Sequence, residues 1–524
     1  MKQKLILILC ILSLSISASE NGYFVIFKNK SSSQTFNPYN YFDKKAIENK
    51  KLLGLPIYDW HDLPVNLNYV SKVAEFSDSL GYKLRWFNGV TVYCSEKSIA
   101  EIRRLPFVKK VIKWKVYSDI LPQGISVNQE VAKNFPVFQW QLNTMGGELF
   151  QKRNISGEGI RISVVDVGFR GADENIQLSH LFKNKKLIDS WDFSKNKPLD
   201  FKSGPAHGTM VTSFIVGEID SIQIGHAPKA EVLFAKMKSI LNSNKSIEEA
   251  WLKAVEWSHR KGARLVNSSV GYSEGDHTLD MLTGDTCLMS LAGNLASRKG
   301  MLIINAAGNE GTNDWKMIAF PGDADSVLTV GAIDSKSGVR TSYSSYGPSR
   351  VLNLKPNLTA IGDVFWYSGS SLKKLEGTSF STPLVTGYAA CILQHQPHLA
   401  PMNLIDTIQK TASLYPYFDY SHGYGVPRAT LYFGEDTIKD KNPTIALLKS
   451  PNYLVEGYYY FEYLSKKGTQ FFYQIIHKDG YIRDYKVVKF QKNKKSPKIF
   501  FKDLSKGELI RVFHRGTYIE KKIE

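Results

Sequence analysis

Asp166 stands at the end of an apolar run, Ile160-Arg161-Ile162-Ser163-Val164-Val165. A carboxylate at the C-terminal end of a buried parallel strand is where α/β folds build sites, although an Asp so placed also serves a turn. His207 lies in Ala206-His207-Gly208-Thr209 and opens an apolar helical stretch, and the glycine after it permits close backbone approach. Gly377-Thr378-Ser379-Phe380-Ser381-Thr382-Pro383 puts Ser379 at a helix N-terminus, where backbone N–H groups and the helix dipole favour developing negative charge. Capping would explain the one serine, but not the Gly-Thr before it or the Pro after it. In Ala306-Ala307-Gly308-Asn309-Glu310-Gly311, a strand ends in small residues with an amide beyond them. That asparagine can donate to an oxyanion or make the turn. Carboxylate, imidazole, hydroxyl and amide donor are together the parts of nucleophilic acyl transfer.

These groups need a frame to hold them. Between residues 160 and 433, apolar runs at 160–165, 232–235, 265–268, 302–306 and 327–330 alternate with helical stretches. Continuous apolar runs fit a parallel sheet buried on both faces. Ser246 and Glu249 read as a capping box, followed by Ile247, Ala250, Trp251, Ala254 and Val255 at helical spacing. A doubly wound, mainly parallel α/β domain is therefore predicted. Upstream, β-like runs at 23–27, 84–87 and 90–93 alternate with helical stretches near 67–79 and 96–104, a small α+β pattern. Pro122, Gly124 and Pro136 punctuate a linker between 115 and 137. After residue 442, aromatic and β-branched runs broken at Lys467-Gly468, Asp479-Gly480 and Lys506-Gly507 predict a small all-β domain with hairpins.

The chain has 524 residues, a mass of 59.1 kDa and a net charge of +18, so a peptide hormone or disulfide miniprotein is excluded. Residues 441–524 carry 18 basic against 8 acidic side chains, or +10. Such a balance bears on association and solubility rather than chemistry. Cys10, Cys94, Cys287 and Cys391 show no zinc-chelating or disulfide-framework spacing, and whether Cys287 and Cys391 meet is left open. Lys2 and Lys4, the apolar run 5–14 and the small residues Ser17-Ala18-Ser19 read as a secretory signal over 1–19. No later stretch is long enough to span a bilayer.

In this order, Asp then His then Ser at separations of 41 and 172 residues, the blocks resemble the subtilisin-like serine peptidases (subtilases) over roughly 140–433. The resemblance implies that Ser379 is the nucleophile, His207 the general base and acid, and Asp166 the group that orients the imidazole. It puts Asn309 with the Ser379 backbone N–H in an oxyanion hole. It also makes Ser269, Val270 and Gly271 a substrate-pairing strand, and Ala306, Ala307 and Gly308 the lining of a pocket. Residues 20–118 resemble the family's propeptide, an intramolecular inhibitor and folding aid, leaving 140–434 as peptidase and 440–524 as a basic β-rich domain. Val167 and Phe169 give Asp-Val-Gly-Phe, as in Bacteroidota-type members, and Lys355-Pro356-Asn357 replaces the frequent Lys-Pro-Asp. Neither change touches proton transfer.

The expected protein is thus a secreted bacterial endopeptidase, extracellular or held at the envelope, made as a zymogen and acting on polypeptides at neutral to alkaline pH. No cofactor is required for that chemistry. A structural calcium ion would be in keeping with the resemblance, but Asp276, Asp280 and Asp285 fit no calcium-loop spacing, so no metal site is named. No nucleic acid partner is expected. Contact of the basic C-terminal domain with an anionic surface, or cover of a sheet edge, is the role open to that domain. A catalytically silent subtilase-fold scaffold is the alternative. An esterase reading fails, because Gly-x-Ser-x-Gly is absent around Ser379 and the residue order is reversed.

Overall fold

The computed structural model describes residues 21–30, 35–114, 127–128, 135–237, 247–273, 278–348, 353–368, 371–435, 445–449, 459–463, 470–489, 500–501, 504–514 and 517–523. The signal stretch 1–19, Ser246, Asp276, Lys467-Gly468 and most of the 115–137 linker lie outside these residues. The chain divides into two compact units.

The first unit contains 60–116 and the N-terminal strand. Strands β1 (Asn21–Phe27), β2 (Ser79–Leu84), β3 (Gly89–Cys94) and β4 (Val108–Lys113) form an antiparallel sheet in the order β2-β3-β1-β4. Tyr23, Val25 and Phe27 alternate onto one face of β1. There they are buried with Val70 and Val73 of helix α1 (Leu67–Ala74) and with Ile99 and Ile102 of helix α2 (Glu96–Arg104). The predicted strand at 84–87 is corrected. Pairing with β3 ends at Leu84, and residues 85–88 make the hairpin turn, Asn88 taking φ +51° as Asn tolerates in turns.

The second unit holds an eight-stranded sheet. Its strands are β5 (Arg161–Asp166), β6 (Leu187–Asp192), β7 (Lys197–Pro198), β8 (Glu231–Lys236), β9 (Leu265–Ser268), β10 (Leu302–Ala306), β11 (Val327–Ile333) and β12 (Leu358–Ile361). They run in the order β12-β11-β10-β9-β5-β8-β6-β7, parallel except for β6 against β7. β6 and β12 were not legible in sequence. Leu187-Ile188-Asp189-Ser190-Trp191-Asp192 is too polar for a buried run, and Leu358-Thr359-Ala360-Ile361 is enclosed by Pro356-Asn357 and Gly362, which read as turn residues. Helices α3 (His207–Val216), α4 (Ile247–Arg260), α5 (Leu288–Arg298) and α6 (Thr378–His395) flank the sheet. α6 is apolar nearly all round and buried from Thr378 to Leu393, as a helix at the centre of a core must be.

The segment Phe36–Asp59, with a helix over Lys44–Leu52, also belongs to this second unit. So does a four-stranded antiparallel C-terminal sheet of β13 (Gln470–Ile476), β14 (Ile482–Lys489), β15 (Leu509–His514) and β16 (Thr517–Lys522). Asp479-Gly480 turns β13 into β14, with Gly480 at φ +91°. Phe472 and Phe513 of that sheet pack on Leu414 and Tyr417, and the Tyr417 hydroxyl lies 3.1 Å from the Tyr473 carbonyl.

Cys287 and Cys391 are separate buried thiols. Cys287 faces the Glu248 carboxylate at 3.6 Å and Cys391 donates to the His226 carbonyl at 3.2 Å.

Lys355 is buried, its Nζ donating to Val327 O, to Asn357 Oδ1 at 3.0 Å and to Thr329 Oγ1 at 3.4 Å. Where the frequent Lys-Pro-Asp would supply a carboxylate, Asn357 supplies only a dipole, and burial pushes the Lys355 ammonium down to about 7. An unfolded lysine keeps its proton to about pH 10. The unfolded chain therefore binds more protons between about pH 7 and 10, so stability rises with pH across that window and the deficit is complete below it. In a Ser379→Ala background, which removes self-digestion, the urea midpoint should climb from pH 7 to pH 10, and Lys355→Met should flatten that climb. An unchanged slope in Lys355→Met would contradict the assignment.

Candidate active site

The strand order reverses at β5, the switch point where doubly wound sheets open a crevice at the carboxyl ends of their strands. Asp166 closes β5 in register with Lys236 of β8, one residue beyond the Val165–Ser268 pair with β9. Its carboxylate is fully buried, and Oδ1 accepts the Val167 N–H at 2.7 Å. His207 is the first residue of α3. Its Nδ1 lies 2.9 Å from both Asp166 oxygens. The Gly208 N–H donates to Gly168 O at 2.8 Å, tying the helix start to the loop after β5. A Cβ on Gly208 would sit 2.6 Å from the Phe169 ring and 2.8 Å from Gly168 O, so only glycine lets the imidazole come this near the strand end. The other ring nitrogen, His207 Nε2, is buried and without a hydrogen-bond partner among the described residues.

Ser379 is the second residue of α6, and Phe380 beside it packs on the imidazole at 5.7 Å between ring centroids. Four residues on, Pro383 has no N–H to offer the Ser379 carbonyl. That freed carbonyl accepts from Ser269 Oγ at 2.9 Å, and the Ser379 hydroxyl in turn donates to the Ser269 carbonyl at 3.0 Å. The proline of the Gly-Thr-Ser-x-Ser-x-Pro block is thereby given a physical role. It opens a backbone acceptor through which α6 is fastened to the end of β9.

Asn309 lies beyond β10. Its Oδ1 accepts from the Thr378 N–H and from Thr378 Oγ1, both at 3.0 Å. Two donors on one amide atom fix that atom as oxygen. Nδ2 is left facing the Gly377 backbone, 3.6 Å from where a Cβ would stand. Ser269, Val270 and Gly271 continue β9 to Tyr272, which pairs with Phe320. Ala306 and Ala307 are buried, Ala307 N–H donates to Val330 O at 2.9 Å, and Ser345 N–H donates to Gly308 O at 2.9 Å.

The structure thus brings Asp166 and His207 into contact, sets Ser379 and Asn309 at one helix start, and links Ser379 to Ser269. It makes no hydrogen bond between Ser379 and His207. Two further residues belong to this neighbourhood. Ala319 fills the floor between the two small-residue segments, its Cβ 2.8 Å from a Cβ built on Gly271 and 3.2 Å from one built on Gly308. The Tyr343 hydroxyl accepts the Gly377 N–H at 3.1 Å. Neither was singled out from sequence, because an alanine and a tyrosine in loops carry no chemical pattern of their own.

No group of three His, Cys, Asp or Glu side chains able to hold a metal occurs among the described residues. Asp285 accepts from Thr283 Oγ1 at 2.8 Å, and Asp276 of the acidic stretch lies outside the described residues. No helix among the described residues is long and apolar enough to cross a membrane.

The sequence pattern that defines the subtilase family matches residues 157–425, half of the chain and all of this site. The chain belongs to the subtilase family. It is a subtilisin-like serine endopeptidase, and the pattern of the peptidase S8 propeptide domain of Bacteroidota matches this subtilase at residues 22–129. It is 28% identical to the thermostable alkaline protease of Halalkalibacterium halodurans over 322 residues, 60% of this chain and 80% of that protein. With subtilisin NAT of Bacillus subtilis subsp. natto it shares 26% over 359 residues, 67% of this chain and 82% of that protein. Fervidolysin from Fervidobacterium pennivorans, described as a keratinolytic enzyme related to subtilisin, shares the fold. Its TM-score is 0.56 at 15% identity, over 94% of this subtilase and 70% of fervidolysin.

Proposed function

We propose that this subtilase is exported by residues 1–19, folds with residues 20–118 as its inhibitory propeptide, and hydrolyses polypeptides through Ser379, His207 and Asp166 in a peptidase domain at 140–434, with the basic domain 440–524 after it. The observation that carries the reading is the Asp166–His207 contact at 2.9 Å, which leaves Nε2 unpartnered and turned away from the carboxylate. In the cycle, Nε2 takes the Ser379 proton as Oγ attacks the carbonyl carbon, and returns it to the departing amine. Water then repeats the sequence on the acyl-enzyme, with the same nitrogen as base. The oxyanion is met by the Ser379 N–H and by Asn309 Nδ2. Pairing along Ser269 to Gly271, and a pocket lined by Ala306 to Gly308, would hold the substrate. An unprotonated imidazole is required, so activity should be highest at neutral to alkaline pH.

The test uses the chain from Glu20, as wild type and as Ser379→Ala. Wild type should shorten to a peptidase with a new N-terminus between about Lys115 and Gln139, hydrolyse casein and take a fluorophosphonate label, and Ser379→Ala should do none of these. A wild-type chain that stays inert after loss of its N-terminal segment would favour the silent scaffold instead.

Asn309 offers a second test. Asn309→Asp keeps the acceptor that Thr378 uses but removes the amide donor and adds negative charge. It should lower kcat by at least about 10²- to 10³-fold with little change in KM, a range set by loss of the corresponding donor in a subtilisin, a member of this family. Wild-type kcat in Asn309→Asp would remove Asn309 from the oxyanion hole.

A further inference from the structure

The segment Phe36–Asp59 falls inside the stretch that matches the propeptide pattern, yet it is part of the second compact unit. Its attachment is made at the rim of the sheet opposite the candidate site. Asp43 caps the helix Lys44–Leu52 through the Lys45 N–H and gives its own N–H to Arg260 O at 3.0 Å. The same Asp43 carboxylate lies 3.2 Å from Arg161 Nη1. Arg161 is the first residue of the strand that ends in Asp166. At about 3.3 Å per residue, the two ends of β5 are roughly 17 Å apart. This segment therefore does not plug the crevice.

Around that ion pair the fit is close. Phe42 is buried edge-on against His259, Asn49 Nδ2 donates to Gly262 O at 2.9 Å, and Lys299 Nζ donates to Asp59 at 2.8 Å. A Cβ on Gly262 would stand 2.6 Å from Ala46 N, and one on Gly300 would stand 2.7 Å from Leu53 Cδ1. Positive φ after α4 and α5 would by itself account for glycine at both positions. It does not account for a second segment lying flush against both helix ends, with an apolar anchor, two backbone-directed hydrogen bonds and two ion pairs.

We propose that Phe36–Asp59 is a tether: a docking segment by which the propeptide, once severed at its C-terminal junction, keeps a second foothold on the far rim of the peptidase, independent of the active site. The proposal rests on the zymogen reading above. After the cut, the propeptide is held only non-covalently, and the tether adds a hold that does not pass through the active site. A second linked foothold converts rebinding of the inhibitory part into an intramolecular event, with an effective concentration in the millimolar range for short linkers. Weakening the tether should accordingly hasten release without changing the cut.

The test uses the full chain carrying Ser379→Ala, with a recognition sequence for an unrelated endopeptidase inserted within 117–126. After cutting, the N-terminal fragment should co-elute with the peptidase on size exclusion. Asp43→Ala combined with Ile47→Asp, which puts a charge into the buried cluster of Phe42, Ala46 and Ile47, should shorten its residence at least about tenfold. A synthetic peptide of residues 36–59, added in excess to the unaltered tether, should speed release as well, which keeps the test independent of how the double variant folds. Prompt loss of the fragment from the parent chain would overturn the tether, as would release indifferent to both variant and peptide. In the chain with Ser379 restored, Asp43→Ala with Ile47→Asp should shorten the lag before full activity at an unchanged rate of junction cleavage. A fragment retained through the tether in a chain that neither cuts its junction nor is inhibited by the fragment would defeat the zymogen reading while leaving the tether in place.

Discussion

Ser379→Ala should lower kcat towards a short peptide anilide by about 10⁶-fold, or about 8 kcal/mol of transition-state stabilisation, a magnitude established for a subtilisin, itself a member of this family. The more telling result is the double variant. His207→Ala alone should cost nearly as much, and Ser379→Ala with His207→Ala no more than either, because without its base the hydroxyl is inert and without the hydroxyl the base has nothing to activate. Losses that multiplied would show two groups acting separately. The residual rate should persist in every case, since the Ser379 N–H and Asn309 Nδ2 do not depend on either side chain. Circular dichroism and the urea midpoint, measured beside the kinetics, separate loss of chemistry from loss of folded enzyme.

Asp166→Asn should cost about 10⁴-fold in kcat with KM nearly unchanged. The geometry states why the amide is worse than its shape suggests. Oδ1 accepts the Val167 N–H at 2.7 Å, so the amide oxygen of an asparagine is drawn to that position. Its NH₂ is then turned to His207 Nδ1, which must become an acceptor. The ring proton moves to Nε2, the nitrogen that has to be free. Asp166→Ala leaves the tautomer undetermined and the imidazolium without its counter-charge, and should cost about 3 × 10⁴-fold, the magnitude found for that loss in a subtilisin, a member of this family. A loss below tenfold in Asp166→Asn would mean that the carboxylate does not orient the ring.

Much of this site could be read before any coordinates. Asp166, His207, Asn309 and Ser379 are each marked by neighbours that serve the backbone, and backbone demands leave short, local traces in sequence. Gly208 is there because a Cβ would strike Phe169, and Pro383 withholds a donor from Ser379. The five apolar strands were legible for a similar reason, since burial on both faces demands runs such as Leu302 to Ala306. What escaped was set by distant contacts. β6 carries Asp189, half-buried and met by Lys261 at 2.8 Å, and Asp192, buried but held by Lys236 at 2.9 Å and by donors from Ser194 and Lys195. Ala319 matters through two segments that precede it by many residues. The helix at Lys44–Leu52 looks like any charged surface helix until its ends are seen against Gly262 and Gly300.

The reciprocal bonds between Ser269 and Ser379 carry a consequence for how substrate and chemistry meet. A hydroxyl owns a single proton. While Ser379 gives that proton to the Ser269 carbonyl, it cannot give it to His207, so in this arrangement the nucleophile is not engaged with its base. That carbonyl has two lone pairs, and an extended chain whose N–H takes the second weakens its hold on the hydroxyl. Loading and arming then share a single carbonyl that answers to two donors. A small electrophile that does not touch that carbonyl must meet the serine in its parked position, and should react with it more slowly than one carrying a peptide-like N–H.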